Sequence, residues 1–109
     1  MLQPILGSTS KESVLLYLAA RDEGYAREIA RFFAVSLRPI QIQLARLEAD
    51  GVLFSRLVGR TRLYGLNPRY PFLRELRALL EKALTFYPEP DRQRLLMNRR
   101  RPRKPGKPL

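Results

Sequence analysis

A chain of 109 residues is long enough for one modest domain, and its 45% hydrophobic content can fill a small core. The 21 Lys and Arg outweigh the 10 Asp and Glu by a formal +11, which favours a polyanionic partner: nucleic acid first, an anionic membrane second. Cysteine and histidine are absent, so disulfides, thiolate metal sites and imidazole acid–base chemistry are excluded.

At the start of the chain, MLQPILGS lacks the charged start and long apolar stretch of a signal peptide. No later run approaches the ~18 apolar residues of a membrane span. A soluble cytoplasmic protein is expected. Thr9 with Glu12 three residues on has capping-box spacing, and Val14, Leu15 and Leu18 follow at helical intervals, which predicts a first helix from about Ser10 to Ala20. Asp22-Glu23-Gly24 reads as the turn that stops it. In YAREIARFF, Ala26, Ile29, Ala30 and Phe33 share a face and predict a short second helix from Tyr25. Ala34-Val35-Ser36 leaves room only for a tight turn.

The stretch SLRPIQIQLARLEADG, Ser36 to Gly51, carries two conflicting patterns. Ile40 to Leu44 alternates like a half-buried strand, whereas Ser36 and Gly51 stand where a helix N-cap and a left-handed C-cap belong. Ile40, Leu44 and Leu47 continue the i, i+4, i+7 spacing beyond the alternating part, with Arg38, Ala45 and Ala49 opposite, so the helix prevails. Pro39, third after the cap, loses no intrahelical hydrogen bond. Ile42 then lies about 200° from Ile40, at ~100° per residue, on the outer face with Arg38 and flanked by Gln41 and Arg46.

VLFSRLV and TRLYGL are strand-like runs separated by Gly59-Arg60, a hairpin signal compatible with a type II′ turn. That register puts Leu53, Tyr64 and Leu66 on one face toward the helices. Arg56, Arg60 and Arg62 gather toward the tip, with Arg56 and Arg62 on opposite faces of the ribbon. Asn67-Pro68 and Tyr70-Pro71 interrupt, and FLRELRALLEKALTFY then predicts a last helix. Its apolar arc is wider than one small domain usually needs, so Phe72, Leu73, Leu76, Leu80 and Leu84 are expected to meet a second copy in a symmetric homodimer. Asp91 to Met97 has the makings of one or two helical turns. The basic, proline-rich NRRRPRKPGKPL cannot bury a core and is expected to be disordered, serving as a phosphate-attracting arm, a docking segment for an acidic protein, or an idle end.

The expected architecture is mainly α with a small β-hairpin: a winged helix-turn-helix with a C-terminal dimerisation helix over residues 1–90, and a basic tail over 91–109. A major groove admits one helix. Arg38 and Gln41 are the candidates to read base edges of double-stranded DNA, Ile42 to meet a thymine methyl, and Arg46 to hold a phosphate. Arg56, Arg60 and Arg62 on the wing suit a minor groove or backbone phosphates. The competing reading is an interaction module whose last helix and tail recruit a partner enzyme or toxin. An RNA-binding role lacks a set of stacking aromatics. An enzyme lacks a nucleophile–base pair or a glycine-rich phosphate loop, so no catalysis, cofactor or metal is expected.

The runs Arg27-Glu28-Ile29-Ala30, Leu44-Ala45-Arg46-Leu47-Glu48 leading to Gly51-Val52-Leu53, and Gly59-Arg60-Thr61-Arg62-Leu63-Tyr64 before Asn67-Pro68 resemble small ArsR/MarR-like winged-helix transcriptional regulators. They are more similar still to the winged-helix module found ahead of prokaryotic nucleotidyltransferase domains. The resemblance spans about Leu6 to Leu84. It implies operator binding by the third helix and wing, with Arg38, Gln41, Ile42, Arg46 and Arg60 matching by position. Metal sensing of the kind that uses Cys and His is not implied, because both are missing.

Overall fold

The computed structural model describes residues 1–97, in the order α1 (Gln3–Leu6), α2 (Thr9–Arg21), β1 (Glu23–Tyr25), α3 (Ala26–Phe33), α4 (Leu37–Ala49), β2 (Leu53–Val58), β3 (Thr61–Leu66), α5 (Leu73–Leu84) and α6 (Glu89–Met97). The tail expected to be disordered lies, from residue 98 on, outside the described residues.

Helix α2 is central. Its residues Val14 to Ala20 are all buried, and α1, α3, α4, α5, α6 and the sheet pack around it. Ser8 caps it, the Oγ accepting the Lys11 N–H at 3.1 Å. The capping box read at Thr9 and Glu12 does not form: Thr9 is already helical, and the buried Glu12 carboxylate accepts the Leu2 N–H at 3.0 Å. Glu12 thereby fastens α1 to α2.

The segment read as a turn holds a third strand. Asp22 takes φ 75 to reverse the chain, and β1 then pairs antiparallel with β3, Gly24 opposite Tyr64, giving the sheet order β1-β3-β2. Gly24 also lets the strand lie close against α2, since a Cβ there would lie 2.7 Å from Cε1 of Tyr17. Tyr25 precedes α3, its N–H held by Glu28 Oε1 at 3.1 Å. At the other end Val35 N–H reaches Ala30 O at 3.0 Å and Ala34 N–H reaches Arg31 O at 3.2 Å, a Schellman closure with Ala34 at φ 56 in the left-handed region.

Helix α4 settles the conflict in its sequence: Ile40, Leu44 and Leu47 are buried and the alternating stretch is helical throughout. Ser36 occupies the N-cap with extended backbone, but its hydroxyl makes no capping bond. Gly51, at φ 82, closes the C-terminus as expected, with Val52 N–H on Leu47 O at 2.9 Å and Gly51 N–H on Glu48 O at 3.0 Å.

The hairpin has Val58 opposite Thr61 around the two-residue turn. Gly59 has φ 66 while Arg60 is not among the positive-φ residues, the signature of type II′. Leu53, Ser55, Leu57, Arg62, Tyr64 and Leu66 share one face by register, with Leu53 and Leu66 in the core. A relay on that face ties the wing to α4: Arg62 Nη1 donates to Ser55 Oγ at 3.0 Å, which donates to Glu48 Oε2 at 2.8 Å. Tyr64 stands beside this relay. Burial first, and then the Glu48 carboxylate, push its phenol above the ordinary 10.0, while the Arg62 guanidinium pulls it down.

The folded unit does not stop at residue 90. Leu95 of α6 is only 2% exposed in the common core, and Arg21 holds the end of the helix, Nε on Leu95 O at 2.9 Å and Nη2 on Arg94 O at 3.0 Å. The high charge of this segment conceals a single well-placed leucine.

Two glycine-related substitutions should move stability in opposite directions. Gly24→Ala forces Tyr17 aside and should cost about 1–3 kcal/mol. Ala34→Gly removes a left-handed alanine and should gain up to about 1 kcal/mol after chain entropy is deducted. Denaturant midpoints measure both. The face assignment is tested by the Tyr64 titration followed by NMR: Arg62→Ala should raise its pKa and Glu48→Gln lower it, whereas Arg56→Ala should leave it in place.

Candidate nucleic-acid interface

Among the described residues, nothing packs over one face of α4. Arg38, Gln41, Ala45, Arg46 and Ala49 are exposed, and Ile42 keeps 37% of its surface although its helix is otherwise well anchored. From Leu37 to Leu47 the helix carries no acidic side chain. Arg38 and Arg46 make no ion pair among the described residues, so both guanidiniums can serve an outside anion.

Beside this face lies a cleft of about 180 Å³ where three elements converge: Arg27 from the first turn of α3, Gln41 from α4, and Arg60, Thr61, Arg62 and Tyr64 from the wing. The structure therefore brings Gln41 together with Arg60 and Arg62, while Arg38, Ile42 and Arg46 continue the surface along α4. Among the described residues, no carboxylate lines the cleft. Three guanidiniums around a recess without a counter-charge favour an anion such as a phosphate.

Arg27 was missed as a site residue by sequence reasoning. Periodicity places it only on the solvent side of α3, and its proximity to the wing arises from the pairing of β1 with β3, which brings the start of α3 beside that strand. Arg56 does not join the group. It lies on the opposite face of the sheet from Arg62 and pairs with Glu23 of β1, Nη2 to Oε2 at 3.4 Å.

The residues expected at a dimer interface separate. Leu80 is 0% exposed, fully enclosed by its own subunit, and cannot reach a second copy. Leu73, Leu76 and Leu84 pack against the core, while Phe72 is 63% exposed. The apolar surface left uncovered runs instead along the other flank of α5 and onto α1. Met1, Leu2, Leu79, Ala83 and Phe86 line a groove of about 390 Å³, with Lys82 the one charged side chain among its lining residues, and Ile5 of α1 is exposed.

Among the described residues no group of His, Cys, Asp and Glu could hold a metal ion, and no helix is long and apolar enough to cross a membrane.

No family model matches the chain, and no curated protein does. Solved structures do. A MarR-family transcriptional regulator from Silicibacter pomeroyi superposes with a TM-score of 0.59 at 23% identity, over 88% of this chain and 70% of that one. A mutant of Lactococcus lactis ZitR in its apo form gives 0.55 at 23% identity, over 79% of this chain and 68% of that one. At such identities the likeness is one of fold, and the fold of this chain is a winged helix-turn-helix.

Proposed function

We propose that the protein is a sequence-specific, double-stranded-DNA-binding transcriptional regulator acting as a homodimer. The observation that carries this reading is the uncovered, acid-free face of α4 lying beside an arginine-lined cleft formed with the wing. Inserted in a major groove, that face offers Gln41 for a bidentate pair with adenine and Arg38 for guanine, each good pair contributing about 1–3 kcal/mol of discrimination. Ile42 faces the C5-methyl of thymine, and Ala45 and Ala49 let the helix approach closely. Arg46 and the Arg27–Arg60–Arg62 cleft take backbone phosphates, which set register without reading sequence. The apolar groove between α1 and α5 is the surface a second copy would cover, and a two-fold dimer would present two recognition helices to a pseudo-palindromic site. The resemblance in fold to a MarR-family transcriptional regulator supports the same reading.

Selection and sequencing of bound genomic fragments across a salt series tests it. A specific regulator retains a few sites at salt that strips bulk DNA, whereas a purely charge-driven binder loses all fragments together. On a selected site, Arg60→Ala should weaken binding about equally for all sequences and reduce the salt slope by about one. Ile42→Ser should relax preference at one or two base pairs, and an unaltered profile would remove Ile42 from the interface. Leu79→Asp should convert the dimer to a monomer in sedimentation at micromolar concentration. A wild-type monomer under those conditions would end the homodimer reading and leave the apolar groove for a different protein.

A further inference from the structure

A second basic recess, of about 430 Å³, lies away from the wing between α2, α3 and α6, lined by Tyr17, Arg21, Glu28, Arg31, Phe32 and Arg94. Its guanidiniums are held in an unusual way. Among the described residues Arg21 donates to neutral acceptors: the carbonyls of Leu95 and Arg94, and the Tyr17 hydroxyl at 2.8 Å. The same guanidinium lies 4.8 Å from the Tyr17 ring centroid and 5.2 Å from that of Phe32, and the Arg94 guanidinium lies 4.3 Å from Phe32. Two cations thus stack on one aromatic ring, a costly arrangement at close range unless an anion sits between or beside them. Arg31 adds a third guanidinium, with no ion pair among the described residues.

Three arginines against the single carboxylate of Glu28 leave the lining with a net charge of +2. Asp91 offsets little of this. It stands 3.8 Å from Arg94 Nη1, on an exposed pair, and lines the neighbouring recess. We propose that this recess binds a phosphate dianion, carried on a small organic monoester whose body rests against Phe32. A phosphate monoester carries about −1.5 to −2 at neutral pH, which matches the unbalanced charge, and its oxygens match guanidinium forks. The recess has the size of a small-molecule site and an apolar wall, more than a bare ion requires. The bound anion would join α2, α3 and α6 through one charge each, and this site is independent of the DNA-binding reading.

Calorimetric titration of the full chain with inorganic phosphate and, separately, with phenyl phosphate tests the proposal, using sodium chloride at matched ionic strength as the control. In an Arg60→Ala background, which disables the cleft beside the wing, saturable binding of one equivalent is expected, at least tenfold tighter for the ester, with the melting temperature rising several degrees at tenfold excess over Kd. Equal affinity for the two would assign the recess to free phosphate. Arg31→Ala and Arg94→Ala should each weaken binding at least tenfold, while Arg38→Ala, on the α4 face, should leave it unchanged. The basic tail is intact in all three variants, so its nonspecific attraction cancels. Binding no stronger than the chloride control, or binding that survives Arg31→Ala and Arg94→Ala in variants whose circular dichroism is native, would overturn the assignment.

Discussion

The burial of α2 on every side is the constraint from which the rest of the architecture follows. Seven consecutive side chains, Val14 to Ala20, are removed from water, and consecutive residues on a helix point in all directions. Such a helix needs cover around its whole circumference. Ile40 and Leu44 of α4, Leu80 and Ala83 of α5, Ile29 of α3, Leu95 of α6 and Leu53 and Leu66 of the sheet supply it. Each buried leucine or isoleucine contributes on the order of 1.5–3 kcal/mol, against a few tenths for an exposed arginine pair such as Arg56–Glu23. The apolar contacts therefore set where each helix lies, and the arginines occupy the faces that remain. The outer side of α4 is uncovered because its inner side is committed to α2.

The wing's position relative to α4 depends on a smaller set of bonds at the base of the hairpin. Asn67 closes the exit of β3 against the exit of α4, its Nδ2 on Gly51 O and its N–H on Val52 O, both at 2.9 Å. The Arg62–Ser55–Glu48 relay fastens the same two elements further along. Individually these contribute about 0.5–1.5 kcal/mol, small beside the core. Their effect is on orientation: Gln41 and the wing arginines keep a fixed separation, so a duplex would meet helix and wing as one surface and not as two independently moving parts.

Much of this was legible in the sequence, and the failures have physical causes. The period of 3.6 identified α2, α3, α4 and α5, and it outweighed the Ile–Gln alternation because Leu47 extends the helical stripe where a strand has no use for it. The Gly59-Arg60 pair gave the hairpin and its faces correctly. Strand β1 was missed because three residues, Glu23 to Tyr25, carry no period, and their pairing is made by a partner forty residues away. Leu80 was misplaced because a wide apolar arc shows that a helix is covered on two flanks without showing which flank belongs to its own subunit. The domain boundary fell too early for a related reason. The segment from Asp91, read as one or two helical turns, was grouped with the basic tail, but the docking of α6 relies on Leu95 and on backbone carbonyls, and carbonyls have no sequence signature. Arg27 was overlooked because its neighbours are tertiary.

Helix α3 connects these surfaces. Its first turn gives Arg27 to the cleft beside the wing, its outer side gives Glu28, Arg31 and Phe32 to the arginine recess, and Ile29 and Ala30 hold it to the core. It ends at Ala34, a strained left-handed residue that fixes the angle at which α4 leaves. Beyond Ile29 and Ala30, its Ala26, Phe32 and Phe33 also pack against the core, so the helix is seated along its whole length. The recess and the turn into α4 are thus built on the same eight-residue helix. The recess and the α4 face are therefore separated in the chain by one helix and one turn, closed by the Val35 to Ala30 and Ala34 to Arg31 hydrogen bonds.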